Sequence, residues 1–527
     1  MRLRSYIHST IGLWMLSMVY WCMCSCSMIW SDEEGDTITK CEVRQTITLN
    51  LTITHPDASI NTRASLGPYE LSFTRNEAAV KRITAFVVDL KPDDGTEDYD
   101  KIKYHSTDID PIDFYNGIYV FRQTLEVETG AKHIYIGANL RDEHIKAFIA
   151  NKPISPSGDG PAVNMVMTPD PTHSGQGTDI AMFGQIKMAN GSEDIVISEG
   201  TTDYYLSGNL ERLTAKVLLT CDEGEPGLVR TGGLGWVETS KIRYTLNVTN
   251  KHTYINKHWD SQYSVNMDPN WSLKSWVKAN GSGFESPGDY DEQFEAWEPE
   301  ILMQRLFDDR YSAVPLRYDE SKVGAGDSEN HYVEGLYCLE NTAYNDMGLS
   351  GDALDNAARV ATTHVVMAVR FLPRRFYGGA GTLIEAESLD KVLTYYLVKD
   401  AGSGPYVNGT YFTRTVNGTL TYYAYTGMKR AITDSGGTLS EADFTRYEGG
   451  YSYYTTFIDG NADNLKLTYN GCDSWGVQRD HYYILTVDKI TRPGTPIPWD
   501  DYIRVNSQTT EWFSRGSQEV VIKPKSM

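Results

Sequence analysis

The chain is short of cysteine, of positive charge and of long apolar runs. Its seven cysteines are spread over 527 residues, and three of them crowd at Cys22, Cys24 and Cys26. The other four, Cys41, Cys221, Cys338 and Cys472, show no C-x-x-C spacing, so no cysteine metal motif is written here. Lys and Arg number 48 against 70 Asp and Glu, which gives a net charge of -22. That balance argues against binding nucleic acid or anionic lipid by charge. Catalytic signatures are missing too. There is no H-E-x-x-H, no G-x-x-x-x-G-K-[ST], no G-x-S-x-G and no dinucleotide fingerprint. No catalytic residue, cofactor or metal is assigned, and the chain reads as a non-enzyme. DGNADN puts Asp459, Asn461 and Asp463 at calcium-loop positions one, three and five, but Asn464 and Asn470 replace the required Gly and Glu. A hairpin turn is the expectation there.

What the chain does have is β character. There are 35 tyrosines and 12% aromatics, in a sequence long enough for two or three domains. Residues 1–26 read as an export signal. Arg2 and Arg4 precede an apolar run from Ile11 to Trp21, too short to span a bilayer comfortably. Cys26 follows small Ser25, with Met23 at the third position before it, the pattern a lipoprotein signal peptidase accepts. Lipidation is therefore expected at Cys26, with a polar tether after it.

TITLNLTIT, Thr46 to Thr54, then alternates strictly. Ile47, Leu49, Leu51 and Ile53 point one way and polar residues the other, as in a strand with one buried face. A proline and a polar stretch follow and close on Arg63, directly before Ala64. The segment fits an ordinary first strand and loop, or a strand built to be cut away. Cleavage after Arg63 would remove Cys41 and leave an odd number of cysteines in the body.

Beyond Ala64, strands are expected at VKRITAFVVDL, GIYVFRQTLEVETG, AKHIYIGANL, DIAMFGQIKM, ERLTAKVLLTCD and KIRYTLNVTNKHTYI, with a short helix at DEHIKAFIANK. Residues 64–258 read as one β-sandwich domain and 259–500 as a second, with an insertion at about 259–350. In that insertion Phe294, Trp297 and Ile301 have helical spacing. Asn408-Gly409 and Asn417-Gly418 both signal hairpins. Arg479, Asp480 and His481 abut YYILTV, and a positional ion pair is expected of them rather than acid–base chemistry. Pro493, Pro496 and Pro498 precede a terminal arm, 501–527. The fold class is all-β with short helical insertions.

Four of these segments together resemble the FimA/Mfa-type fimbrillins, the type V pilins of Bacteroidia. They are ITLNLTITHPDASINTRA, VKRITAFVVD, GAKHIYIGANL and WGVQRDHYYILTVDKITRPGTP, in that order. Asp480 stands where the family pattern usually has Asn. The length resembles the larger Mfa type. The resemblance implies two transthyretin-like β-sandwich domains in tandem and a structural role. The precursor would be carried to the outer membrane by its lipid at Cys26. An Arg-specific protease would cut between Arg63 and Ala64, and the strand within 27–63 would leave a groove. The arm of another subunit would fill it, with Ile503, Val505, Trp512, Val520 and Ile522 as inserting residues and RPGTPIPW holding the arm off its own domain. Partners would be further pilin subunits, including anchor and tip, and the mature product a cell-surface fimbria. Two alternatives stay open. One is a tip or anchor subunit; the other is a surface glycan-binding lipoprotein that stacks sugars on the aromatics of Trp259 to Trp297.

Overall fold

The alternating stretch becomes strand β1, Arg44–Thr54. The computed structural model describes residues 43–54, 79–112, 118–156, 161–169, 177–221, 223–260, 265–272, 294–309, 311–313, 315–317, 335–344, 346–350, 361–396, 407–458, 474–498 and 506–511. Eight further strands share a sheet with β1. Seven of them are β2 (Val80–Leu90), β3 (Glu97–Ile112), β4 (Ile118–Glu128), β5 (Gly130–Ala138), β6 (Met182–Met188), β7 (Ile195–Ile197) and β8 (Asp203–Asn209). The order is β3-β2-β5-β6-β8-β1-β4, with β7 on β5 and a short Glu211–Arg212 strand on β6. The sheet folds over on itself. Thr107 Oγ1 of β3 donates to Gln123 Oε1 of β4 at 3.0 Å, so its two ends meet.

The sheet has cores on both faces. Inside lie Ile83, Ala85 and Val87 of β2, Ile134 and Ile136 of β5 and Ile186 of β6, together with the apolar row of β1. Outside, Phe86 and Val88 of β2 pack under α1, Asp142–Ile149, through Ile145 and Phe148. This double cover is why VKRITAFVVDL reads as an apolar run and not as an alternation. Asn139 ends β5 in the left-handed region, φ 54°, which Asn tolerates better than most residues. Its side chain accepts from the Lys81 amide at 2.9 Å and donates to the Ala79 carbonyl at 2.8 Å, fixing where β2 begins.

The second half is a sandwich. One sheet contains β9 (Thr214–Cys221), β11 (Leu336–Leu339), β18 (His481–Val487) and β19 (Asn506–Glu511); the facing one contains β10 (Gly235–Asn247), β13 (His364–Pro373) and β16 (Tyr451–Phe457). Val217 and Leu219 of β9, Tyr483 and Leu485 of β18, Ile242 and Tyr244 of β10 and Met367 and Val369 of β13 share its core. A small pair, β12 (Asn341–Tyr344) and β17 (Ser474–Val477), lies beside it. Between β13 and β16 a five-stranded sheet carries the hairpin β14 (Tyr411–Val416) and β15 (Thr419–Tyr423) and has its own apolar clusters. The chain is all-β with short helices.

β9 pairs in parallel with β18 from Lys216↔Tyr482 to Cys221↔Val487, so it belongs to the second sheet system although it lies before residue 258. Sheet partners change at about residue 213, where β9 finds its partner more than 260 residues downstream. Two expectations are corrected. The helix expected across Phe294, Trp297 and Ile301 starts only at Pro299. This helix, α2, spans Pro299–Arg305 and buries Leu302, whereas Phe294 lies in a two-residue strand and Ile301 is exposed. Proline at the first helical turn explains the start. Asn417-Gly418 turns the β14–β15 hairpin with φ 48° and 77°. Asn408-Gly409 also turns the chain, closed by the Thr410 amide on the Val407 carbonyl at 3.1 Å directly before β14, and a side chain at Gly409 would crowd the Gly449 carbonyl. Lastly, RPGTPIPW does not hold the whole arm away, since β19 pairs antiparallel with β18 of its own domain, His481↔Glu511 to Thr486↔Asn506.

Candidate functional site

The candidate site is the slot that β1 occupies. Ile47, Leu49, Leu51 and Ile53 are all 0% exposed. They meet Tyr204 and Leu206 of β8, Leu125 and Val127 of β4 and the inner rows of β2, β5 and β6. Burying each such side chain is worth about 1.5–3 kcal/mol. Thr48, Asn50 and Thr52 point outward and stay half-exposed. The sequence alternation is therefore the alternation of core and solvent.

β1 makes two ladders. It runs antiparallel to β4 over its full length, Arg44↔Glu128 to Thr54↔Ile118, and parallel to β8 from Thr48↔Asp203 to Thr54↔Asn209. Its start is pinned by Gln45, the residue before the apolar row on the same face. Gln45 Nε2 donates to the carbonyls of Ser198 (2.8 Å) and Thr201 (3.3 Å), and Oε1 accepts from the Gly200 amide at 3.1 Å. Above the strand, Arg122 of β4 reaches Asp203 of β8 at 3.7 Å. Gln45, Arg122 and Asp203 were not singled out from sequence, although YVFRQTLEVE does show the wall strand β4.

Cys26, Arg63, Ala64, Ile503, Val505, Trp512, Val520 and Ile522 lie outside the described residues, as does the DGNADN turn. Among the described residues no group of His, Cys, Asp and Glu could hold a metal ion.

The Arg479–His481 cluster is a structural joint. Arg479 is buried and donates Nε to Glu340 at 2.7 Å, Nη1 to the Ile255 carbonyl at 3.0 Å and Nη2 to the Tyr254 carbonyl at 2.8 Å. Asp480 sits at φ 61°, accepts from buried Arg212 at 3.2 Å and donates its amide to the Thr214 carbonyl. Asp in place of Asn here keeps the left-handed turn and adds a charge that Arg212 matches.

Where it is described, the aromatic region is half-buried. Trp297 is held through its amide by Asn247 Oδ1 at 2.9 Å and stands against Tyr311 and Arg305, whose guanidinium lies 3.4 Å from the Tyr311 ring centre. The Tyr344 amide donates to the Trp271 carbonyl at 2.8 Å. Trp276, Phe284 and Tyr290 lie outside the described residues. Beside Trp271, buried Asp268 accepts from the Asn270 amide and from Thr342, tying this segment to β12. Loss of solvent pushes its carboxyl up to about 7.

Residues 445–514, which take in β16 to β19, match the family model described as major fimbrial subunit protein type IV, fimbrillin, C-terminal. None of the curated proteins matches the chain. Among solved structures it is similar to a FimA fimbrillin from Porphyromonas gingivalis, at 13% identity and TM-score 0.37, with 89% of this chain and 99% of that one covered. It is likewise similar to the tip fimbrial protein Mfa3 from Porphyromonas gingivalis, at 11% identity and TM-score 0.33, with 89% and 100% covered. A third similar structure is a fimbrial assembly protein from Parabacteroides distasonis, at 12% identity and TM-score 0.25, with 62% and 96% covered.

Proposed function

We propose that the chain is the precursor of a fimbrial stalk subunit. It is exported as a lipoprotein acylated at Cys26 and held at the outer membrane. An Arg-specific protease cuts the Arg63–Ala64 bond, β1 leaves, and the carboxy-terminal arm of a neighbouring subunit takes its place. The observation that carries this reading is the burial of Ile47, Leu49, Leu51 and Ile53 in a strand paired on both edges. Removing such a strand exposes apolar surface and two rows of backbone donors and acceptors, which together recruit an extended segment. The match of residues 445–514 to a fimbrillin model supports the same reading. A head-to-tail contact of this kind does not close, so it yields a filament. The role is structural, and its partners are further subunits.

The pairing of β19 with β18 bears on which part of the arm donates. Either Trp512–Met527 inserts while β19 stays at home, or β19 peels away first. Edge position makes the second step inexpensive, since a single ladder is broken.

The test uses the full chain and an Arg-specific protease. The expected products are a new terminus at Ala64 and ladders in unboiled gels. Cleavage at Arg63 with a strictly monomeric product overturns the stalk reading. Deleting Tyr502–Met527 is expected to abolish ladders while leaving the β circular dichroism signal intact. A tip subunit would instead accept a strand without donating one, and would cap ladders grown from another subunit.

A further inference from the structure

We infer that β4 is a flap that opens and closes with β1: its place in the sheet depends on β1, and the dependence runs one way. Among the described residues β4 forms a ladder with β1 alone, over Arg44↔Glu128 to Thr54↔Ile118. β1 has a second ladder, the parallel one to β8, and β8 has its own antiparallel ladder to β6. Withdrawal of β1 therefore leaves β8 anchored and β4 without a strand partner.

Few other links hold β4. Phe121, Leu125 and Val127 face the inner core, which they share with the apolar row of β1. Thr107 gives one side-chain hydrogen bond to Gln123. The Arg122–Asp203 pair spans the outer face of β1 at 3.7 Å between side chains 70% and 47% exposed, where an ion pair adds little. β4 connects to β5 through Thr129 alone, and Gly130 turns there at φ 126°, a conformation reserved for glycine. β4 and β5 are adjacent in sequence but not paired. Moreover, the Thr129 amide and hydroxyl are bonded to Val43, at the start of β1, so the turn itself is held by β1.

This inference rests on the proposed assembly only for its consequence. In that setting, loss of β1 opens more than a slot. It frees a second strand, and the incoming segment of a second copy of this chain is laid on β8 and then enclosed by β4. The precursor keeps the flap shut, and the arriving strand shuts it again.

Hydrogen exchange by mass spectrometry on the full, uncut chain tests this without any polymerisation. Leu49→Ala weakens β1 from within, and Ile47→Val does so more mildly. For either variant the expected result is a loss of protection by one common factor in β1 and β4, with β2 and β5 unchanged. Leu125→Ala is the converse, and is expected to open β4 while β1 stays protected along β8. β4 keeping its protection when β1 loses it overturns the proposal, as does loss in β2 and β5 alongside. A chain that behaves as expected here yet never forms ladders after cleavage would sink the stalk reading and leave the flap standing.

Discussion

The two terminal strands, β1 and β19, have opposite positions. β1 is central, has a ladder on each edge and turns four fully buried apolar residues into the core. Among the described residues β19 is an edge strand with one ladder, and its sequence NSQTTE is polar throughout. A central apolar strand leaves a hole that must be refilled, whereas a polar edge strand can leave and return with little change to what remains. The difference sets an apolar, doubly paired strand in the amino-terminal sheet against a polar, singly paired one in the carboxy-terminal sheet.

The comparison can be broken most severely at the joint that anchors β18, the strand β19 rests on. Arg479→Ala leaves Glu340 buried without its guanidinium, and a loss of about 3–5 kcal/mol is expected in chemical denaturation. Leu51→Ala comes next, at about 2–5 kcal/mol, because a fully buried leucine in a paired strand leaves a cavity. Truncation before Asn506 is expected to cost less than Leu51→Ala, as the six ladder residues regain conformational entropy that offsets their hydrogen bonds. The reverse ranking would remove the distinction between the two strands.

The last prediction concerns pH. Asp268 has a folded-state value of about 7 against an ordinary 3.8, raised chiefly by burial. A raised carboxyl binds its proton more tightly when folded. Its contribution is therefore most favourable below pH 3.8 and is lost as pH rises towards about 7. Denaturation midpoints of the wild type and Asp268→Asn across this window are expected to differ in slope, with the wild type falling more steeply. Parallel curves would dismiss the carboxyl as the source.

How much was legible follows from where each contact lies in the chain. β1 could be read because one buried face writes period two into the residues. The β14–β15 turn could be read because Asn417-Gly418 carries its backbone requirement locally. The α2 start was misplaced because Phe294 is buried by Thr249–Asn250 pairing rather than by a helix, and period counting cannot tell the two apart. Gln45 was passed over because its partners, Ser198 and Thr201, are more than 150 residues away.

The sequence by itself determined which faces are apolar, where the chain turns, and that TITLNLTIT is a one-sided strand. Only the tertiary structure decided that β1 is central, that among the described residues β4 pairs with it alone, and that β9 belongs with β18 rather than with its neighbours in the chain. The physical reason is that burial leaves its mark on each residue separately, whereas strand pairing is made by backbone groups that every residue carries alike. Which strand lies beside which is then settled by the packing of the whole, and no local pattern records it.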